Sequence, residues 1–168
     1  MESRELGGDG AIATRGSPAG APVNPAEWPT PAAAGAAGEF WAFLRSGEFR
    51  LQRCGACGAY AHPPVPACAR CRSRAREWVA ASGTGEVWAR TTIHPPVLPA
   101  FADRVPYDAL VVRLDEGVFI VTNPQPSTPP APPLRLAIGD PVEIVLHAVT
   151  DDLTLPLARP TTPTEPAS

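Results

Sequence analysis

Residues 54–71 read CGACGAYAHPPVPACARC, and this stretch decides the fold. It holds every cysteine of the chain, Cys54, Cys57, Cys68 and Cys71, spaced C-x2-C-x10-C-x2-C. Each C-x-x-C is a knuckle that turns two thiolates toward one point, and two knuckles complete a tetrahedral shell. The spacing predicts a structural zinc ribbon; the same thiolates would also accept iron. Four thiolates leave no open coordination position, so such a site can hold a fold but has no place to activate water. Gly55 and Gly58 permit the tight backbone that aims amides at sulfur. Arg72 follows Cys71 where a glycine would be usual, so the second turn is expected to be less ideal.

The flanks of the ribbon are read from pattern. Upstream, Glu39–Gly47 (EFWAFLRSG) predicts a short helix, because Phe40, Phe43 and Leu44 fall at i, i+3 and i+4 and Gly47 suits a stop. Trp41 lies beside that face. So short a helix buries little by itself, so its aromatic face either packs on the ribbon or docks on a partner protein. Downstream, Gly85–Ile93, Tyr107–Leu114, Val118–Thr122 and Pro141–Ala148 are rich in Val, Ile and Thr and bounded by turn residues. Asp115-Glu116-Gly117 is a hairpin turn and Ile138-Gly139-Asp140-Pro141 a second turn signal. Several short strands with no helical stretch between them predict a small barrel. Asn123–Pro133 is Pro-rich and must be a loop; Thr154–Leu157 adds a final extended segment.

The expected organisation is a disordered Ala/Gly/Pro-rich leader at 1–38, a helix at 39–48, the ribbon at 49–80, the barrel at 81–160 and a mobile tail at 161–168. Trp28 is the one large hydrophobe of the leader. The chain has 168 residues, a formal net charge of −3 and 14 basic residues, all Arg. That balance does not favour a polyanion partner. No stretch approaches the roughly 18 apolar residues of a membrane span, and the N-terminus lacks the apolar core of a signal peptide. A cytoplasmic setting follows, in which the cysteines are reduced ligands rather than disulfides.

In order, the chain shows Phe40-Trp41, the double knuckle, Trp78 and Ser82-Gly83-Thr84-Gly85-Glu86-Val87. Pro106-Tyr107, Leu114-Asp115-Glu116-Gly117, Ile138-Gly139-Asp140-Pro141-Val142-Glu143 and Leu155-Pro156 follow. This series, over about residues 39–160, resembles the DUF35 family. The resemblance implies a mainly β fold: a short N-terminal helix, a rubredoxin-like zinc ribbon and a C-terminal OB-fold barrel. It also implies a non-catalytic accessory subunit of acyl-CoA enzymes: thiolases, hydroxymethylglutaryl-CoA synthases, sterol side-chain hydratases and aldolases, or acyltransferases making aromatic polyketides. Such a subunit would dock the enzyme and help hold or shelter the CoA-linked intermediate. The chain departs from the pattern in its long Asn123–Pro133 loop and its leader.

No catalytic constellation is legible. His62, His94 and His147 are scattered, and Asp151-Asp152 reads as a solvated turn. The cysteines serve better as metal ligands than as nucleophiles. Arg70, Arg72, Arg74 and Arg76 alternate, so an extended segment would put all four on one side. They would balance the charge of a zinc–tetrathiolate centre, or contact an anion such as the phosphates of CoA. Phe40, Trp41, Phe43 and Leu44 are the candidate partner-docking residues. The competing function is nucleic-acid binding through the OB-fold and ribbon, which calls for a basic groove with aromatic platforms. Trp88, Tyr107 and Phe119 are available, but the barrel's acidic residues cancel its arginines.

Overall fold

A computed structural model describes residues 29, 31, 34–95, 101, 105–127 and 134–161. Trp28, nearly all of the leader before residue 34, and residues 162–168 lie outside the described residues.

The ribbon is a three-stranded antiparallel sheet in the order β2-β1-β3, with β1 Arg50–Cys54, β2 Tyr60–Ala61 and β3 Arg76–Ala80. Strand β1 is central. It runs from Arg50 opposite Ala80 to Cys54 opposite Arg76, so it delivers Cys54 to the knuckle with its backbone paired on both sides. Sequence pattern alone predicts no strand at β3, where charged and apolar residues mix; cross-strand pairing with β1 makes it one.

The barrel sheet has the order β6-β5-β4-β7-β8, with β4 Thr84–Ile93, β5 Tyr107–Leu114, β6 Phe119–Thr122, β7 Pro141–Thr150 and β8 Leu153–Pro160. Its two edges meet beyond β6. Pro124 bridges Ala158 in parallel, the Gln125 amide donates to the Ala158 carbonyl at 2.7 Å, and the Ala158 amide donates to the Asn123 carbonyl at 2.9 Å. The sheet is thereby nearly closed, which removes most of its exposed edge. Strand β8 is a full partner of β7 and longer than the expected segment at Thr154–Leu157. Pro156 and Pro160 hide it from a strand pattern, because proline cannot donate to a ladder.

Burial alternates with period two. Leu110, Val112 and Leu114 point inward from β5, as do Ile120 and Thr122 from β6, while Arg113, Phe119 and Val121 face out. The main apolar cluster joins these leucines and valines with Val87, Leu136, Val142 and Ala158, and with Leu51 of β1. A ribbon strand therefore supplies a fully buried side chain to the barrel core.

Helix α1 spans Gly35–Arg45 and so begins four residues before the expected Glu39, within the stretch read as disordered leader. Ala36 and Ala37 are strong helix formers, and Phe40 and Leu44 anchor the helix against β1 and β8. The Glu48 amide bonds the Phe43 carbonyl and the Gly47 amide bonds that of Leu44, which is the Schellman arrangement, with Gly47 at a φ of 83°. Glu39 ties the helix to β3 by accepting from Arg76 Nη2 at 2.9 Å and Trp78 Nε1 at 2.6 Å.

Two sequence motifs turn out to grip each other. Asp115 and Glu116 of the β5–β6 hairpin hold the Ser82–Thr84 segment. The Thr84 hydroxyl donates to the Asp115 carboxylate, and the Ser82 amide donates to Glu116 Oε1 at 2.6 Å. Next to these ties Gly85 lies opposite Leu114, against the backbone of β5. The Ile138–Pro141 turn is tied to Val87 by two backbone bonds, from the Gly139 amide to the Val87 carbonyl and from the Val87 amide to the Asp140 carbonyl.

Candidate metal centre

The two knuckles have the same local backbone. The Cys54 amide donates to the Ala59 carbonyl and the Gly58 amide to the Cys54 carbonyl, both at 2.9 Å. In the second, the Cys68 amide donates to the Ser73 carbonyl at 2.9 Å and the Arg72 amide to the Cys68 carbonyl at 2.8 Å. Gly58 and Arg72 thus occupy equivalent positions, with φ of 72° and 61°. Arg72 is the only described non-glycine residue in this left-handed region, so the imperfect turn expected from sequence is present. A bond from the Gly55 amide to the Ala75 carbonyl, at 3.0 Å, joins the first knuckle to the exit of the second.

The four sulfurs lie within 4.8 Å of one another. Cys54 Sγ and Cys71 Sγ are 3.6 Å apart, and Cys57 Sγ and Cys68 Sγ 3.7 Å. A disulfide would bring sulfurs to about 2.05 Å. Zinc–sulfur bonds of about 2.3 Å at tetrahedral angles would separate them by roughly 3.8 Å. The geometry fits one metal ion and no disulfide. Backbone amides prepare the thiolates: those of Ala56 and Cys57 bring the Cys54 thiol down to about 6, and those of Cys71 and Arg70 lower Cys68. At Cys71 the Ser73 amide also favours the thiolate, but the neighbouring thiols of Cys57 and Cys54 outweigh it and push that group up to about 12. Four negative sulfurs so close together need a cation among them, and a divalent ion supplies it.

The other candidate residues separate in the structure. Phe40 and Leu44 are buried in the chain's own core. Phe40 meets the rings of Trp41, Phe49 and His62. Phe43 packs on Trp78 and lies under the Arg50 guanidinium. Only Trp41 and Phe43 keep partial exposure, so the expected docking face is narrower than the sequence pattern implies. The arginine run does not form one extended row. Positive φ at Arg72 turns the chain, so Arg70, Arg74 and Arg76 line a small hollow of about 120 Å³ beside the metal site and Arg72 does not. Arg76 is further committed to Glu39 at 2.9 Å.

His62 packs against the Phe40 ring at 5.0 Å, and its buried Nδ1 has no hydrogen-bond partner among the described residues. Burial lowers its basicity. His94 is exposed at the end of β4, His147 lies in β7, and Asp151-Asp152 form the exposed β7–β8 turn. Trp88 and Phe119, named from sequence as aromatic platforms, are exposed at 51% and 43%, and sequence reading missed two further exposed apolar side chains of the barrel, Val121 and Ile138, at 74% and 68%. The Trp88 and Phe119 rings are 5.6 Å apart, and Arg113 lies over Trp88. The signal was available in β6, whose strict alternation leaves Phe119 and Val121 outward, but an irregularity in the β4–β5 pairing at Trp88 was not readable.

Residues 41–77 match the family model described as the ChsH2 rubredoxin-like zinc ribbon domain, and residues 78–147 match that of the ChsH2 C-terminal OB-fold domain. A solved structure named "Ltp2-ChsH2(DUF35) aldolase" contains a chain that superposes with a TM-score of 0.63 at 35% identity, covering 73% of this chain and 92% of that one. The chain belongs to the DUF35 family. This DUF35 chain carries a rubredoxin-like ribbon whose four clustered cysteines form a structural zinc site, followed by an OB-fold barrel. It is also 39% identical over 128 residues to the "Probable enoyl-CoA hydratase alpha subunit" of Thermomonospora curvata. That match takes in 75% of this chain but spans only 38% of the relative's length. No described helix is long and apolar enough to cross a membrane.

Proposed function

We propose that this chain is a non-catalytic accessory subunit that assembles with an acyl-CoA-processing enzyme of the hydratase, aldolase or thiolase-like class. In that role it helps hold the CoA-linked intermediate. The observation that carries the reading is the likeness, across both ribbon and barrel, to a chain of a structure named as an aldolase with ChsH2(DUF35). Likeness to part of a hydratase alpha subunit points the same way. The chemistry of the chain agrees: its metal ligands close the coordination shell, which suits scaffolding. The exposed Trp88–Phe119 pair, with Val121 on the same outward face of β6, supports a protein partner, since apolar side chains exposed together favour association. Trp41 and Phe43 remain a second, smaller docking candidate. Nucleic-acid binding is less favoured, because Arg90, Arg113 and Arg159 of the barrel each face an acidic partner rather than an open groove.

Co-expression with a neighbouring hydratase, aldolase or thiolase-like gene, followed by size-exclusion chromatography, tests the assembly. Co-elution at fixed stoichiometry, weakened by Trp88→Ala with Phe119→Ala, is the expected result. Separate elution, with the enzyme fully active alone, would refute the proposal. Micromolar binding of single-stranded DNA or RNA at physiological salt would favour the nucleic-acid reading instead.

A further inference from the structure

We infer that the cavity at one end of the barrel is a binding site for a small molecule with an apolar, ring-bearing body and an anionic head. The cavity is a hollow of about 750 Å³, open on one side, between the start of β5, the segment after β6, the end of β7 and the start of β8. Sites for small organic ligands span roughly 300–1,000 Å³. The apolar wall comes from Leu134, Leu155 and Leu157, and from Phe101 and Tyr107, whose rings sit 5.6 Å apart. A planar or alicyclic group would meet aromatic and aliphatic carbon there.

The polar lining is what turns a hollow into a site. Tyr107, Gln125, Arg135 and His147 all border the cavity, and their side-chain polar groups have no hydrogen-bond or ion-pair partner among the described residues. The other described arginines of the barrel are committed: Arg113 to Glu86 at 2.8 Å, Arg159 to Glu143 at 2.8 Å, and Arg90 to Asp108 at 3.9 Å. Among the described residues Arg135 is the exception, and it stands, exposed, at the cavity. Among the described residues of the lining the one carboxylate, Asp108, is already engaged. It accepts from the Thr92 hydroxyl at 2.6 Å, faces Arg90, and its side chain is only 13% exposed. Among the described lining residues, the charge left without a partner is therefore the Arg135 cation, flanked by a phenol, an amide and an imidazole able to donate. A guanidinium beside neutral donors is the arrangement that holds a carboxylate or sulfonate, by charge-assisted hydrogen bonds. The docking proposal makes no use of this end of the barrel.

The test uses the isolated full-length chain and two probes that share a ring system, 1-anilinonaphthalene-8-sulfonate and its uncharged counterpart N-phenyl-1-naphthylamine. Both should bind saturably at one site per chain, followed by fluorescence. Arg135→Gln should weaken the sulfonate by about tenfold while leaving the neutral probe unchanged, because it removes the charge and keeps a polar, hydrogen-bonding side chain. Ala148→Trp, at an exposed position on the cavity wall, should exclude both. Unchanged zinc content and melting temperature certify that each variant is folded. The inference fails if neither probe saturates. It also fails if binding survives Arg135→Gln and Ala148→Trp but is lost in Trp88→Ala, which would place the probe on the outer barrel face. Because no partner enzyme is present, failure here leaves the docking proposal standing, and failure of co-elution leaves this one standing.

Discussion

Gly85→Ala is the substitution with the clearest expected cost. A Cβ built at Gly85 would sit 2.3 Å from the Arg113 carbonyl oxygen, 2.9 Å from Leu114 Cα and 3.0 Å from the Arg113 carbonyl carbon. All three are backbone atoms of a paired strand, so no rotamer can relieve the clash. Separating them to ordinary contact requires moving β4 and β5 apart by close to one ångström at the point where Gly85 faces Leu114. That movement would loosen Leu114, which is 2% exposed, and strain the adjoining Thr84–Asp115 and Ser82–Glu116 ties. Overpacking of this kind costs about 1–3 kcal/mol where the surroundings can adjust, and occasionally more where they cannot. We expect about 3 kcal/mol here, a fall of about 10 °C in melting temperature for a chain of this size. The assay is thermal unfolding by circular dichroism, with Gly83→Ala as comparison. Gly83 has positive φ but finds only the Ile144 carbonyl oxygen within reach, at 3.8 Å, so a smaller loss is expected there. A Gly85→Ala variant melting within 2 °C of the parent would refute the close approach of β4 to β5 and the packing argument built on it.

Arg72→Gly should raise stability by about 0.5–1 kcal/mol in urea unfolding, because it relieves a left-handed side-chain conformation costing about 1–2 kcal/mol while adding some unfolded-state entropy. Cys54→Ser should lower zinc from one ion per chain toward none, measured by inductively coupled plasma spectrometry, and should also lower the melting temperature of the barrel, since Cys54 ends the strand that places Leu51 in its core. His62 should make the parent acid-sensitive. Its folded form is held neutral by burial, so protons bind preferentially to the unfolded chain as pH falls below its ordinary value of 6.5. The stability advantage of the parent over His62→Gln should therefore shrink between pH 7.5 and 5.5 in matched denaturation curves, and a constant difference would contradict the burial argument.

The metal ligands were fully legible because their chemistry is local: two knuckles need only short spacing and tight turns. Strands β4 to β7 were legible because alternation and turn residues mark them, and Tyr107–Leu114 is found with the same bounds. Strand β3 was hidden by its charges and β8 by its prolines, since both depend on a partner far along the chain. The helix was placed, and of the two readings left open for its aromatic face, packing on the chain itself holds for Phe40 and Leu44. A 3.6-residue pattern shows that Phe40 and Leu44 share a side, but not whether that side meets a partner or the chain's own β1 and β8. The cavity was invisible, as Tyr107, Arg135 and His147 are scattered in sequence and gathered only by barrel closure.

Leu51 bears on how such a chain can be inherited. Completely buried among barrel residues yet borne by the ribbon, it makes one core out of two recognisable halves. The line between the matched regions, after residue 77, falls inside β3, and the OB-fold match stops at residue 147, before β8 begins. Recombination at the first line would strip β1 of a pairing strand, and at the second would open the barrel. Helix, ribbon and barrel are thus expected to pass between larger proteins as a single indivisible cassette, joined or separated at its outer ends and not at the seam within it.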